Sequence, residues 1–274
     1  MNLLFSIDRG FIPLLLGCMK TVVQNGGYGH YDAYLLHSDF GKAEQIAIRD
    51  GAGPAVDCHF VPVPDTLFHG FPQSPRYPKQ IYYRLAAPLL LPKKLERVLY
   101  LDVDTVVINP LDSLYEMDFE GNCYVACTHT WDMLTRFNQA RLGTEKDVPY
   151  INTGVMLLNL PALRKEIDMG EIRDYANAKK HRFILPDQDI LTALYGERVK
   201  LADTMRYNLS DRMLKIHNTF HPSDKRDLGW VRQNGVIIHY YGTNKPWKDH
   251  YSGILDVFYQ ELVGQSGADC RSPC

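Results

Sequence analysis

The sequence lacks an excess of either charge. Its 274 residues carry 30 lysines and arginines against 32 aspartates and glutamates, a formal net charge of −2. A protein that holds nucleic acid through a general basic field needs a large positive excess, so this class is excluded. Charged residues make up 23% of the chain, near the globular average, which argues against wholesale disorder. The composition therefore predicts a folded protein that does not bind nucleic acid.

The sequence also lacks a long hydrophobic run. A membrane-spanning helix needs roughly 18 to 20 consecutive apolar residues, and no segment approaches that length. Asp8 and Arg9 interrupt the apolar start, and the unbroken stretch 11–16 is too short for the core of a usual signal peptide. We therefore expect a cytoplasmic protein with no transmembrane segment, whose only membrane contact would be peripheral, at the inner face.

Cysteine is scarce, at six residues in the chain, which is too few for a disulfide scaffold. Two pairs with C-x3-C spacing, Cys123 with Cys127 and Cys270 with Cys274, could in principle supply four thiolates to a zinc ion. Because the first pair lies in an apolar run, we favour buried core thiols and a loose tail over a zinc site.

Short apolar runs alternate with helix-like stretches in the first half of the chain. The predicted strands are 3–7, 31–37, 56–63 and 97–101, and the predicted helices between them are 12–24, 42–50 and 80–90. This alternation indicates an α/β fold with a Rossmann-like, mostly parallel sheet and helices on both faces. In such sheets, ligands bind at the carboxyl ends of the strands.

The second half continues the pattern less regularly. Further strands are predicted at 122–128, 155–160 and 235–241, and further helices at 163–180, 189–195 and 254–263. No internal repeat, low-complexity block or convincing linker is found. We therefore predict a single domain over 1–265 with a flap or helical region at 203–234. The tail 266–274 is predicted to be disordered.

The strongest local signal is a pair of carboxylates in LYLDVDTVV. Asp102 and Asp104 follow a predicted buried strand and are separated by one residue. On an extended chain such residues face the same side, so both carboxylates could converge on one cation. Carboxylates at the end of an apolar strand must be paired, protonated or metal-bound, and they suit Mg²⁺ or Mn²⁺. A strand-end turn with aspartate as a cap is the alternative interpretation.

A second motif is HYYGTNKPW near the end of the chain. His239 ends an apolar run, Gly242 permits a tight turn, and Lys245 follows. An imidazole is an acceptable partner for two carboxylates at Mn²⁺, and an ammonium can neutralise a phosphate. A core histidine with a solvated lysine is the alternative.

Two further segments combine polar side chains with strand or helix starts. In LPDQDIL, Asp187, Gln188 and Asp189 would lie in the first turn of a helix, where capping is the alternative role. In YINTGVMLLNL, Asn152 and Thr153 form a polar hinge that could hydrogen-bond sugar hydroxyls, and a plain turn is the alternative.

In their order and spacing these blocks resemble the retaining glycosyltransferases of family 8, which include bacterial lipopolysaccharide galactosyl- and glucosyltransferases and the glycogenins. The resemblance runs from FSIDRGFIPLLLGCMKTVV through YYRLAAPLLLP, RVLYLDVDTVV, INTGVMLLNL, LPDQDIL and KLADTMRYNL to HYYGTNKPW. It implies a GT-A fold that transfers a hexose, galactose or glucose, from a UDP-sugar donor to a saccharide or glycolipid acceptor with Mn²⁺, or Mg²⁺ in its place.

The resemblance also implies roles for individual residues. Asp102 and Asp104 match the D-x-D metal ligands and His239 the third ligand. The residues matching the nucleotide and diphosphate contacts are Ser6, Asp8, Phe11, Arg84, Asp102, Val103, Gly242 and Lys245. Those matching the donor-sugar contacts are Arg84, Asn152, Thr153, Asp187 and Gln188, of which Gln188 is the catalytic candidate near the anomeric carbon.

The sequence departs from the family at its start. Many relatives carry two acids followed by Asn-Tyr, where this chain has Asp8, Arg9, Gly10 and Phe11. Phe11 keeps the ring but loses the hydroxyl, so base recognition would rest more on backbone groups.

The expected retention of configuration leaves two mechanisms. A double displacement needs a carboxylate nucleophile, and Gln188 is an amide, so we favour front-face substitution. Asp189 and Asp132 remain candidate nucleophiles. The alternative functions are a sugar-nucleotide pyrophosphorylase, whose usual Gly-rich basic loop is absent here, and a degenerate carbohydrate-binding protein.

Overall fold

The central feature of the fold is a seven-stranded sheet in the order β3-β2-β1-β4-β7-β6-β8. A computed structural model describes residues 1–74, 78–128, 132–145 and 148–264. The strands of this sheet are β1 Asn2–Ser6, β2 Tyr31–His37, β3 Val56–Pro62, β4 Arg97–Leu101, β6 Tyr124–Thr128, β7 Ile151–Asn159 and β8 Val199–Leu201. A separate two-stranded sheet pairs β5 Thr105–Val107 with β9 Ile237–His239.

The sheet is mostly parallel, as predicted. Strands β3, β2, β1 and β4 run parallel to one another, and β6 and β8 are also parallel. β7 pairs antiparallel with both β4 and β6, so it is the reversed strand. The reversal puts the beginning of β7 beside the carboxyl end of β4, where ligands bind in sheets of this kind.

Helices cover both faces of the sheet. The α-helices are α1 Ile12–Asn25, α2 Lys42–Ala52, α3 Tyr83–Leu90, α4 Asp112–Tyr115, α5 Asp132–Leu142, α6 Leu160–Glu166, α7 Met169–Lys179, α8 Pro186–Tyr195, α9 Thr204–Tyr207, α10 Asp211–Phe220, α11 Leu228–Asn234 and α12 Asp256–Leu262. One hydrophobic cluster joins the sheet to α3, α6, α7 and α8, and a second joins it to α1 and α2. A third surrounds β5 and β9 with residues of α9 to α12.

Several predicted elements differ from the structure. The predicted helix 163–180 is two helices, because Asp168 caps a new helix by accepting from the amides of Gly170 and Glu171. The predicted strand 235–241 is reduced to β9, which lies outside the main sheet. The predicted hinge at Asn152 is instead part of β7.

The predicted flap at 203–234 begins inside the core. Tyr207, Asn208 and Leu209 are buried, and the amide of Leu209 donates to the carbonyl of Ile237 at 3.0 Å. The beginning of the predicted flap is therefore part of the buried structure beside β9 and does not lie on the protein surface.

The cysteines of the core are consistent with the favoured interpretation. Cys18, Cys123 and Cys127 are buried free thiols, and burial raises the pKa of Cys18 to about 12. Cys270, Cys274 and the predicted disordered tail lie outside the described residues. Within the described part of the chain, no helix is long and apolar enough to cross a membrane.

Candidate active site

Three candidate metal ligands meet at the carboxyl end of β4. Asp102 directly follows β4, Asp104 directly precedes β5, and His239 is the last residue of β9. Antiparallel pairing places Thr105 opposite His239 and so brings the imidazole beside the two acids. One ligand atom from each of the three lies within 4.8 Å of the other two. The residues between β4 and β5 form a turn, so the acids converge across a turn and not along an extended chain.

The donor set fits a hard divalent cation. Nε2 of His239 and Oδ1 of Asp104 are 3.1 Å apart, buried, and without hydrogen-bond partners. Unsatisfied buried polar atoms are costly, and a cation between the ligands would satisfy both. A Cβ at Gly154 would lie 2.2 Å from Cε1 of His239 and 2.7 Å from Oδ2 of Asp102. Any side chain larger than that of glycine at position 154 would therefore displace His239 or Asp102 from its place in the site.

Lys245 forms an ion pair with one of these acids. Its ammonium donates to Oδ2 of Asp104 at 2.5 Å and to the carbonyl of Tyr240 at 2.6 Å. Burial alone would raise the pKa of Asp104, but the ammonium of Lys245 and the neighbouring imidazole of His239 outweigh this effect and hold the pKa well below its ordinary value. The chain reaches Lys245 through Gly242, whose φ of +83° suits glycine.

Arg84 connects the metal-ligand acids to α8. Its guanidinium lies 3.1 Å from Oδ1 of Asp102 and 3.4 Å from Oδ2 of Asp187, and it donates to the carbonyl of Thr153 at 2.9 Å. The hydroxyl of Thr153 also donates to Asp187, at 2.9 Å. Tyr100 donates to Asp102 at 2.7 Å, and its ring lies under the Arg84 guanidinium. Arg84 is therefore a buried positioning group between two carboxylates.

The first turn of α8 contains Asp187, Gln188 and Asp189, all buried. Burial raises the pKa of Asp187, and the neighbouring Arg84 opposes the effect. Nε2 of Gln188 is buried without a hydrogen-bond partner, which leaves an amide donor available to a ligand.

Asp189 has a different environment from its two neighbours. Its carboxylate accepts two hydrogen bonds from Arg141, at 2.6 and 2.8 Å, and one from the hydroxyl of Tyr150 at 2.7 Å. The amides of Ile184 and Leu185 donate to it as well, at 2.7 and 3.1 Å. Because a carboxylate offers about four lone-pair positions, five donors leave no free direction for nucleophilic attack. Asp189 therefore anchors the start of α8.

Three of the predicted nucleoside contacts, Ser6, Asp8 and Phe11, lie at and after the end of β1, and Val103 lies between β4 and β5. Ser6 donates to a backbone carbonyl before α3 at 2.7 Å. Asp8 caps the 3-10 helix Arg9–Phe11 through a 2.8 Å bond from a backbone amide. Phe11 is 47% exposed, and Val103 packs partly buried against the second hydrophobic cluster. The structure thus leaves the Phe11 ring open to stacking.

Sequence reasoning missed Asn208, Arg141 and Tyr150. Asn208 accepts from His239 through Oδ1 at 2.8 Å and donates to Asn152 at 2.9 Å. The only available signal for Asn208 was its place in KLADTMRYNL, one of the blocks of the family resemblance. Asp132, the other candidate nucleophile, begins α5, and its side chain is outside the described part of the structure.

The fold and site together define an α/β protein with two carboxylates and an imidazole, the candidate metal ligands, at the carboxyl end of a parallel strand. The family model for glycosyl transferase family 8 matches residues 2–251, so the chain belongs to this family. A crystal structure of the galactosyltransferase LgtC with donor and acceptor sugar analogues has a TM-score of 0.79 at 24% identity, covering 97% of this chain and 96% of LgtC. The fold is therefore of the GT-A type, as predicted.

Two bacterial proteins are among the similar sequences. A protein of Haemophilus influenzae provisionally named a glycosyltransferase is 27% identical over 255 residues, which are 90% of this chain and 73% of that protein. A lipopolysaccharide 1,2-glucosyltransferase of Escherichia coli is 31% identical over 184 residues, which are 65% of this chain and 52% of that enzyme. The chain is therefore a glycosyltransferase by family.

Proposed function

We propose that this glycosyltransferase moves a hexose, galactose or glucose, from a UDP-sugar to a saccharide or glycolipid acceptor with retention of configuration. The observation that carries the proposal is the convergence of Asp102, Asp104 and His239 within 4.8 Å. Residues 1–265 would act as one domain. The cytoplasmic location and the peripheral membrane contact stay predictions.

A divalent ion, Mn²⁺ or Mg²⁺, would be held by Asp102, Asp104 and His239. When bound, it supplies a Lewis acid that neutralises the negative charge of a diphosphate leaving group. Lys245 would add a second positive charge at the same oxygens after leaving its ion pair with Asp104. A Cβ added at Gly242 would have open space around it, and this space beside the backbone would let the diphosphate approach closely.

The donor sugar would lie between β7 and α8. Asp187 is held by Thr153 and Arg84, and this buried carboxylate would accept hydrogen bonds from sugar hydroxyls. Oδ1 of Asn152 already accepts from two donors, so its amide nitrogen is the group left to face the sugar. The uridine would stack on Phe11, with Ser6, Asp8 and Val103 around it.

Gln188 supports front-face substitution. Its unpaired Nε2 donor would stabilise the ring oxygen or the departing oxygen, but an amide is a poor nucleophile. In this reaction the anomeric carbon–oxygen bond to the diphosphate breaks and the acceptor oxygen bonds to the same face. The acceptor proton passes to the leaving diphosphate. The carboxylate of Asp189 accepts five hydrogen bonds, so it gives no support to a double displacement through a covalent intermediate.

The proposal is tested with two variants and their control. Asp104→Asn should lose metal-dependent binding of UDP-sugar in a calorimetric titration, whereas Gln188→Ala should keep that binding and lose most of kcat. The exposed Asp249→Asn should change neither. If Asp104→Asn kept its metal-dependent affinity, the proposed role of Asp104 as a metal ligand would be contradicted. Full activity in Gln188→Ala would contradict the proposed catalytic role of Gln188.

The nucleotide is identified by a thermal-shift screen of UDP, GDP, CDP and dTDP sugars with and without Mn²⁺. We expect stabilisation by UDP-sugars that disappears in EDTA. Binding without transfer or hydrolysis would favour the degenerate carbohydrate-binding protein. Membership of a glycosyltransferase family argues against the pyrophosphorylase, which would instead form nucleotide sugar from a sugar phosphate.

A further inference from the structure

A second group of metal-binding side chains lies at the opposite end of the parallel strands. His30 immediately precedes β2, Asp32 is its second residue, and Asp57 and His59 belong to the beginning of β3. We call these four residues the strand-start cluster. The candidate active site follows the carboxyl end of β4. Strand β1 pairs parallel with both β4 and β2, so β4 has the same direction as β2 and β3. The two sites are therefore on opposite edges of the sheet.

Strand register places the four side chains on one face. Asp32 lies directly opposite Asp57 in the parallel pair of β2 and β3. His30 is two residues before Asp32, and His59 is two residues after Asp57, so all four share a side of the sheet. Nε2 of His59 is 2.8 Å from Asp32, and Nε2 of His30 is 3.2 Å from Asp57.

The ligand atoms of His30, Asp32 and Asp57 are close enough for one ion. One atom each from His30, Asp32 and Asp57 lies within 4.8 Å of the other two. Around a tetrahedral zinc with bonds of about 2.0 to 2.1 Å, neighbouring ligand atoms lie roughly 3.3 Å apart. Small side-chain rotations therefore close the group around an ion, and His59 is already in contact with Asp32.

The two carboxylates of the cluster favour the binding of a cation. Two carboxylates directly opposite each other in a sheet repel. Among the described residues, no lysine or arginine forms an ion pair with Asp32 or Asp57, and the partners of these two carboxylates are the two histidines. A divalent cation would supply the positive charge that these two carboxylates lack.

The backbone that carries the cluster is fixed. The carbonyl of His30 accepts from the amino group of Met1 at 3.0 Å, and the amide of Asp32 donates to the carbonyl of Met1 at 2.9 Å. The ring of His59 stacks on buried Tyr34 at 4.6 Å between centroids. The side chains themselves are 36 to 68% exposed, so an ion can enter without opening the fold.

We propose that the strand-start cluster binds a divalent transition-metal ion such as Zn²⁺ through two imidazoles and two carboxylates. Nitrogen ligands favour Zn²⁺ and Co²⁺ over Mg²⁺. The bound ion would link β2 to β3 at the edge of the sheet and stabilise the folded state. This site does not depend on the proposed transferase function.

The proposal is tested with Co²⁺, whose visible absorption reports the ligand geometry, on the full-length chain freed of metal with EDTA. The Asp104→Asn background removes the candidate active-site ion. We expect this protein to bind one Co²⁺ with nitrogen and oxygen ligation, to bind no Mg²⁺ at the same concentration, and to melt at higher temperature with Zn²⁺.

Substitutions within the cluster identify the site. In the Asp104→Asn background, His59→Gln and Asp57→Asn should each weaken Co²⁺ binding at least tenfold and remove the Zn²⁺-dependent rise in Tm. The exposed His69→Gln serves as the control and should change neither. Circular dichroism shows that each variant is folded. Absence of a Co²⁺ equivalent in the background protein, or affinity unchanged in both folded cluster variants, would overturn the proposal.

Discussion

Asn208 fixes which nitrogen of His239 carries the proton. The amide of Gly154, an unambiguous donor, bonds to Oδ1 of Asn152 at 3.0 Å. Asn208 must then direct its NH₂ group to the same oxygen, at 2.9 Å, so its own oxygen faces Nδ1 of His239 at 2.8 Å. Nδ1 is therefore the protonated nitrogen, and Nε2 keeps a lone pair toward Asp104. A ligand imidazole needs this tautomer.

The first prediction concerns that hydrogen bond. Asn208→Ala removes the acceptor at Nδ1, which frees the imidazole to rotate and to take the other tautomer. We expect Mn²⁺ affinity to fall about tenfold to a hundredfold, the usual cost of losing such a supporting group. Titration calorimetry measures the affinity, and the variant should also show a changed pH profile of binding. The exposed Asn177→Ala is the control; equal affinities in the two variants would contradict the positioning role.

The second prediction concerns the space at Gly154. Gly154→Ala would bring a methyl group to 2.2 Å from Cε1 of His239 and 2.9 Å from Nε2. We expect loss of measurable Mn²⁺ binding and a decrease of about 1 to 3 kcal/mol in the free energy of unfolding, as for other overpacked sites. Gly29→Ala is the matched control, because no heavy atom lies within 4 Å of its added Cβ. Metal binding that survives in Gly154→Ala would place the ion elsewhere.

Much of the fold follows from the sequence, because strands buried on both faces read as apolar runs and the intervening helices have turn and cap residues at their ends. The direction of a strand within the sheet does not follow from its sequence. β7 is buried along most of its length, as β4 and β6 are, yet it runs antiparallel to both of them. The predicted helix 163–180 failed for a local reason, since the cap at Asp168 outweighed a continuous amphipathic pattern.

The candidate site was predictable only in part. Asp102 and Asp104 stand out because acids are rare after a buried strand, and Gln188 stands out between two acids. Asn208 carries no such signal, since an asparagine in a loop usually serves a turn. Its role emerges from contacts with His239 and Asn152, which are distant in the chain. Backbone hydrogen bonds between Leu209 and β9 bring Asn208 beside His239.

The third prediction concerns the ion pair between Lys245 and Asp104. Lys245→Met removes a charge that competes with a cation for the same carboxylate. Without nucleotide, we expect Mn²⁺ to bind more tightly, by about tenfold, because the ion no longer displaces an ammonium. With Mn²⁺ present, UDP should bind more weakly, since a phosphate partner is lost.

The opposite signs of these two changes are the diagnostic feature, and both are measured by titration calorimetry. Exposed Lys248→Met, three residues away, should alter neither affinity. A decrease in both affinities would mean that Lys245 supports the site in both states and does not compete with the ion.

The last prediction separates an anchor from a nucleophile at Asp189. Asp189→Asn leaves Arg141, which is 9% exposed, without its charged partner. Breaking a buried ion pair costs about 3 to 5 kcal/mol, so we expect Tm to fall by roughly 5 to 10 °C. In protein kept folded at low temperature, kcat should fall by less than about 100-fold, against the roughly 10⁴-fold or greater losses typical of a missing nucleophile. The exposed Asp174→Asn should leave both quantities unchanged. Trapping of a hexosyl adduct on Asp189, seen as an added mass in the intact wild-type protein and absent in Asp189→Asn, would instead establish the double displacement.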